Sequence, residues 1–191
     1  MPNYLIHKPY GYISQFISNE TRRKNKKLLG ELYDFPKGIM AIGRLDEDSE
    51  GLLLLTTDGK LSEKIRSKSI EKEYYAQVDG IITNEAIEKL QNGLEIGILG
   101  KKHFTQKCKA SKIDNPNFPM RTVPIRMHRP TSWVSITLTE GKLRQVRKMT
   151  AAVGFPTLRL VRIRIGGLYI YKLESGKIEK IDNCFDNVLG T

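Results

Sequence analysis

The sequence predicts an α+β fold: a mixed, largely antiparallel sheet with flanking helices. Three observations carry this. Candidate strands are interspersed with single helices, in no regular βαβ alternation. Segments 72–80 and 132–139 alternate with the period of two that marks a strand. Leu52, Leu53, Leu54 and Leu55 form an unbroken apolar run between Gly51 and Gly59, which reads as a strand buried on both faces. The 191 residues suffice for one large domain or two small lobes. With no repeat and no evident linker, residues 1–191 are expected to form a single domain.

Taken in order, residues 3–7 read as a first strand. Lys8-Pro9-Tyr10-Gly11-Tyr12 reads as a turn, because proline fixes φ and glycine frees it. Residues 18–30 carry Arg22, Arg23, Lys24, Lys26 and Lys27 with almost no apolar content, as an exposed loop does. Leu28 to Tyr33 suggests a short helix, and 60–68 another, with Leu61 and Ile65 at i, i+4. In strand 72–80, Lys72, Tyr74, Ala76 and Val78 share one face. Thr83 is an N-cap for a helix that runs to Asn92 and stops at Gly93, with Glu85 in its first turn. Residues 101–113 read as one polar strand, and 114–130, with its prolines, as a long irregular connection. A helix over 143–153 is two-faced: Arg144, Arg147, Lys148 and Ala151 oppose Val146, Met149, Thr150 and Val153. Strands follow at 157–165 and 168–173, and 177–191 is weakly patterned.

The charge bounds the partner. Net +11 and a pI near 9.6 favour a polyanion, with nucleic acid the leading candidate. No stretch approaches transmembrane length, and the N-terminus lacks the pattern of a secretory signal, so a cytoplasmic protein is expected. Cys108 and Cys184 have no metal-type spacing. Free thiols are the simpler reading, though sequence leaves a disulfide open.

Residues 43–51 place Arg44, Asp46, Asp48 and Glu50 on a loop directly before the leucine strand. Asp46-x-Asp48-x-Glu50-Gly51 matches half of a calcium loop, but its twelfth position is Thr57 where a bidentate carboxylate is needed. His7, His103 and His128 form no zinc cluster. No phosphate-cradling loop and no nucleophile elbow is present. What remains is a lone carboxylate with basic company, for which phosphates are natural partners.

The run Gly43-Arg44-Leu45-Asp46-x-x-Ser49-x-Gly51-Leu52-Leu53-x-Leu55-Thr56-x-Asp58-Gly59 resembles the signature of pseudouridine synthases, in the RsuA/RluB/RluE/RluF branch. Lys8-Pro9-Tyr10-Gly11 is similar to that family's first motif, and Lys72-x-Tyr74 to the strand bearing its active-site tyrosine. Glu140-Gly141-x-x-Arg144-Gln145-Val146-Arg147-Lys148-Met149 is similar to its last motif, with lysine at 148 where arginine is usual. Residues 130–133 and 154–160 resemble the branch's E-type members, which act on large-subunit rRNA. The first motif begins so early that no N-terminal S4 domain is expected.

The resemblance implies the pseudouridine-synthase catalytic fold, with a central RNA-binding cleft and isomerisation of uridine in ribosomal RNA, most naturally 23S rRNA. It implies no cofactor, no metal and no membrane, and a monomer is expected. Asp46 is implied as the catalytic aspartate, acting as nucleophile or as base. Tyr74 would stack on the flipped uracil, and Arg147 would pair with Asp46 and keep it ionised. Arg44 would fill the space the base vacates, with Lys72 and Gln145 beside the site. Arg22, Arg23, Lys24, Lys26, Lys27, Arg144, Arg162 and Arg164 would contact phosphates. Asp48 and Glu50 are expected to be solvated or turn-stabilising. The competing readings are a non-catalytic rRNA-binding or ribosome-assembly protein, and a glycosidase using Asp46 with Asp48, which would need one carboxyl raised in pKa.

Overall fold

The computed structural model describes residues 2–17, 26–67, 70–121, 123–125, 128–170 and 173–181. In chain order, β1 (Asn3–Lys8), β2 (Tyr12–Ile13) and β3 (Lys27–Leu28) lead to a 3-10 turn at Leu29–Glu31. The chain continues through β4 (Met40–Ile42), β5 (Glu50–Thr56), α1 (Gly59–Ile65), β6 (Lys72–Asp79) and α2 (Asn84–Asn92). Then come β7 (Glu95–Ile98), β8 (Lys101–Phe104), β9 (Lys109–Ile113) and β10 (Thr131–Leu138). The last elements are α3 (Gln145–Ala152), β11 (Thr157–Ile165), β12 (Leu168–Tyr169) and β13 (Ile178–Ile181).

The chain divides into two compact units: residues 1–70 with 161–191, and residues 71–160. In the first, β5 is the central strand. β1 and β4 pair with it antiparallel, and β13 adds to the far edge of β1. β11 pairs with β5 in parallel at Val161↔Glu50 and Arg162↔Gly51. Leu52 to Leu55 are all 0% exposed, as the unbroken run predicts. Full burial of a leucine contributes roughly 2 kcal/mol, so this strand is the unit's anchor. Gly51 admits no side chain: a Cβ would stand 2.3 Å from the Arg162 carbonyl oxygen.

In the second unit, β10 lies between β6 and β9, antiparallel to both. Ala76 and Val78 of β6 share a core with Val134 and Ile136 of β10, and α2 and α3 supply Ile87, Leu90, Val146 and Met149 to it. α2 begins as expected: Thr83 Oγ1 accepts from the Ala86 N–H at 3.2 Å. Glu85 is held below the usual carboxylate range by hydrogen bonds from its own backbone N–H and from Thr83. Cys108, a free thiol, donates to the Leu90 carbonyl at 3.1 Å. Burial, then the charge of Glu140, pushes it up to about 11, which leaves little reactive thiolate.

Some expected elements differ. The single strand at 101–113 is two strands, β8 and β9. Between them, Thr105 and Cys108 give their N–H groups to Leu94 and Gln91 at the end of α2, not to a neighbouring strand. β7 was not foreseen. It joins β8 through Leu99 and Gly100, at φ 48° and 78°. The helix expected at Leu28 to Tyr33 is a single 3-10 turn. The weakly patterned tail supplies β13, whose partner is the start of the chain. Among the described residues, no helix is long and apolar enough to cross a membrane.

Candidate functional site

In the first unit, the loop before β5 is pinned on both sides of Asp46. Leu45, 7% exposed, donates its N–H to Ser14 Oγ at 3.0 Å and accepts the Ser14 hydroxyl at 2.8 Å. Glu47 accepts the Gly11 N–H at 2.8 Å, and Asp46 accepts the Ser49 N–H at 3.1 Å. These backbone bonds fix the loop that presents the aspartate. Its side chain is half-buried, and Arg44 is exposed.

Lys8 is the residue that sequence reading missed. It is 0% exposed. Its ammonium donates to the Tyr12 carbonyl at 2.6 Å and the Pro9 carbonyl at 3.0 Å, with a longer 3.5 Å contact to that of Glu47. Burial lowers its pKa from 10.5 to about 8, against the opposing pull of Glu50, Asp48, Asp46 and Glu47. Glu50 corrects an expectation: it is 2% exposed and opens β5, so it is neither solvated nor a turn residue. A buried cation facing an acid-rich loop balances that loop's charge. The available signal was a lysine ending an apolar strand in a chain whose densest acids lie at 46–50.

Lys8 titration gives a testable pH dependence. Between pH 8 and 10.5 the unfolded chain keeps a proton that the folded chain has lost, so this group's contribution to stability rises with pH. Below pH 8 both states are charged, and the burial cost is felt in full. Relative to Lys8→Met, the wild type should gain on the order of 3 kcal/mol across that window. Denaturant titrations of both proteins from pH 7 to 10.5 measure this; a pH-independent difference would remove Lys8 as the titrating group.

The second unit carries the other implied groups on adjoining elements. Lys72 and Tyr74 share a face of β6 and stand opposite Leu138 and Ile136 of β10. Tyr74 is half-buried and packs against the core. Lys72 Nζ donates to the Thr139 carbonyl at 3.4 Å. Arg147, half-buried on α3, donates through Nη1 to the Thr157 carbonyl at 3.2 Å. Val146, Met149 and Thr150 are buried and Arg144 and Ala151 are exposed, as the two-faced pattern requires.

Two of the implied contact residues lie inside the protein. Gln145 is 4% exposed, and both ends of its amide are engaged: Nε2 with Glu140 at 2.6 Å and Oε1 with the Lys142 N–H at 2.9 Å. Arg162 is 5% exposed, and its Nε donates to the Leu52 carbonyl at 2.7 Å. Both are buried and brace the protein from within. Lys26 forms an exposed ion pair with Glu47 at 2.6 Å, and Lys27 lies 5.5 Å from the Tyr12 ring centre. Arg164 donates to the Gly166 carbonyl at 2.9 Å and stacks on Tyr169. Arg22, Arg23 and Lys24 lie outside the described residues. Among the described residues, no three His, Cys, Asp or Glu side chains are grouped as metal ligands would be.

The profile of the family described as RNA pseudouridylate synthase matches residues 3–152. The chain belongs to the RNA pseudouridylate synthase family. The ribosomal large subunit pseudouridine synthase E of Vibrio parahaemolyticus is 42% identical over 182 residues, covering 93% of this chain and 72% of that protein. The protein of the same name from Xanthomonas campestris pv. campestris is 38% identical, covering 91% of both chains. A crystal structure of a pseudouridylate synthase matches with a TM-score of 0.75 at 25% identity, covering 94% of this chain and 70% of that one. The fold is thus that of a pseudouridylate synthase, and the activity is that of an RNA-modifying isomerase.

Proposed function

We propose that the protein isomerises one uridine of large-subunit ribosomal RNA to pseudouridine. The observation that carries this reading is the similarity to synthases of that name across more than nine-tenths of this chain. The net charge of +11 supports a polyanionic substrate, since cationic side chains that neutralise phosphates supply affinity without base readout.

The reaction breaks the bond between uracil N1 and C1′ and joins C5 to C1′. C5 loses a proton and N1 gains one. No electron or group leaves the nucleotide, so the chemistry needs no cofactor. The base must first leave its stack, at a cost of a few kcal/mol. Asp46 is the carboxylate of this reading, as nucleophile at the sugar or as base. Tyr74 offers a ring for the uracil, and Arg147 is the expected counter-charge of Asp46. Arg44 is free of any structural demand for burial, which suits a cation that stacks among displaced bases. We place the protein in the cytoplasm, acting as a monomer on rRNA.

Loss of the C5 proton gives the test. Large-subunit rRNA carrying tritium at uridine C5 should release label to water, up to one uridine per RNA. Small-subunit rRNA should release none. Binding of large-subunit rRNA without release would favour the non-catalytic reading and overturn this one.

A further inference from the structure

We propose that Glu140 is a positioning residue for the reaction: its buried carboxylate holds Gln145, and through it the start of the helix that carries Arg147. The reading of Arg147 above is assumed only for the catalytic arm of the test.

Glu140 is 6% exposed. Oε1 accepts two bonds, from the Gln106 N–H at 2.8 Å and from Gln145 Nε2 at 2.6 Å. Oε2 faces His103 Nε2 at 3.2 Å. One carboxylate therefore ties β8, the β8–β9 connection and α3 together. A buried carboxylate is retained at such a place only when its lone pairs are used, and here they are.

The start of α3 needs this brace. Helices ordinarily open on a Ser, Thr, Asp or Asn whose side chain caps the first turn. Here the N-cap is Arg144, in the left-handed region at φ 53° and ψ 35°, with no capping bond from its side chain. That conformation disfavours a residue with a Cβ and persists only when its surroundings enforce it. The enforcement comes from Gln145, whose Oε1 takes the Lys142 N–H at 2.9 Å while its Nε2 is held by Glu140. Arg147 follows two residues later, with its Nη1 fixed to the Thr157 carbonyl. Cut the Glu140 bond, and the first turn of α3 loses the contact that sets its register.

The test combines amide hydrogen exchange with tritium release from large-subunit rRNA. Glu140→Ala should raise exchange at residues 145–149 by about tenfold or more, with β5 unaffected. It should lower kcat by roughly 100-fold, the usual scale for displacing a catalytic group by an ångström. KM should stay within about threefold, since ground-state binding is untouched. Glu140→Gln keeps the oxygen that accepts from Gln106 and Gln145 and should restore most of kcat. In an Arg147→Ala background, Glu140→Ala should cost little further activity while still lowering Tm.

An equal kcat cost in both backgrounds would show a merely structural residue and overturn the proposal, as would unchanged exchange in α3. If Glu140→Ala does not fold, Gln145→Met removes the same bond from the other side; full kcat in that variant also overturns it. If the wild type releases no tritium from any rRNA, the proposed function fails by itself. The exchange arm then decides Glu140: a loosened α3 upholds the brace, and a protected one overturns it.

Discussion

Asp46→Asn is expected to lower pseudouridine formation by about 10⁴-fold or more, as removal of a principal catalytic group does. The amide has the shape of the carboxylate but no negative charge. It cannot attack the sugar carbon, and it cannot take the C5 proton. The loop should keep its place, because its anchors are the backbone of Leu45 on Ser14, of Glu47 on Gly11 and of Ser49 on Asp46. Stability should change by less than about 1 kcal/mol, as for most substitutions off the core. Affinity for rRNA should hold within about threefold, because phosphate contacts dominate it. Tritium release, thermal melting and filter binding on one preparation measure all three. An active, folded Asp46→Asn enzyme would remove Asp46 from the chemistry.

Gly51→Ala is expected to have the largest effect on stability. The new Cβ would stand 2.3, 2.6 and 2.9 Å from the carbonyl oxygen, amide nitrogen and carbonyl carbon of Arg162. Those are backbone atoms of a paired strand, so no side chain can swing aside. Gly51 also sits at φ 109°, where a Cβ is strained whatever the space. Either β5 or β11 must shift, at the register Gly51↔Arg162 that closes their parallel pairing. The cost should be on the order of 4 kcal/mol, in the exceptional tail of single substitutions. That is a large share of a typical total of about 5–15 kcal/mol. Activity should fall as well, because the Asp46 loop hangs from β5. Denaturant unfolding measures the first effect, and a change below about 0.5 kcal/mol would contradict the close approach.

What could be read from the sequence depended on how local its cause was. The leucine run was legible because burial on both faces needs no knowledge of the neighbours. So were Thr83 and Gly93, since caps act within one turn. The two faces of 143–153 followed from helical period alone. Periodicity gives a direction, however, and not a partner. The resemblance placed Gln145 and Arg162 among contacts for RNA, and no local pattern shows that both are buried with Glu140 and the Leu52 carbonyl as partners. Lys8 and Glu50 were invisible for the same reason: the acid-rich loop that balances Lys8 lies about 40 residues away in sequence. The break between β8 and β9 was hidden because its backbone partners are Gln91, in the last turn of α2, and Leu94 just after it. β13 carried too little pattern to be seen without β1 beside it. The resemblance supplied residue roles that no periodicity could, and for Asp46, Tyr74 and Arg147 those roles are proposals for the variants above.

This chain is expected to make pseudouridine in large-subunit rRNA through Asp46. Chemical mapping of every pseudouridine in the rRNA of its source cell tests that most directly, with the gene intact, deleted, and restored as wild type or Asp46→Asn. Deletion should remove one large-subunit site, wild type should restore it, and Asp46→Asn should not. An unchanged map after deletion, or a site restored by Asp46→Asn, would contradict it.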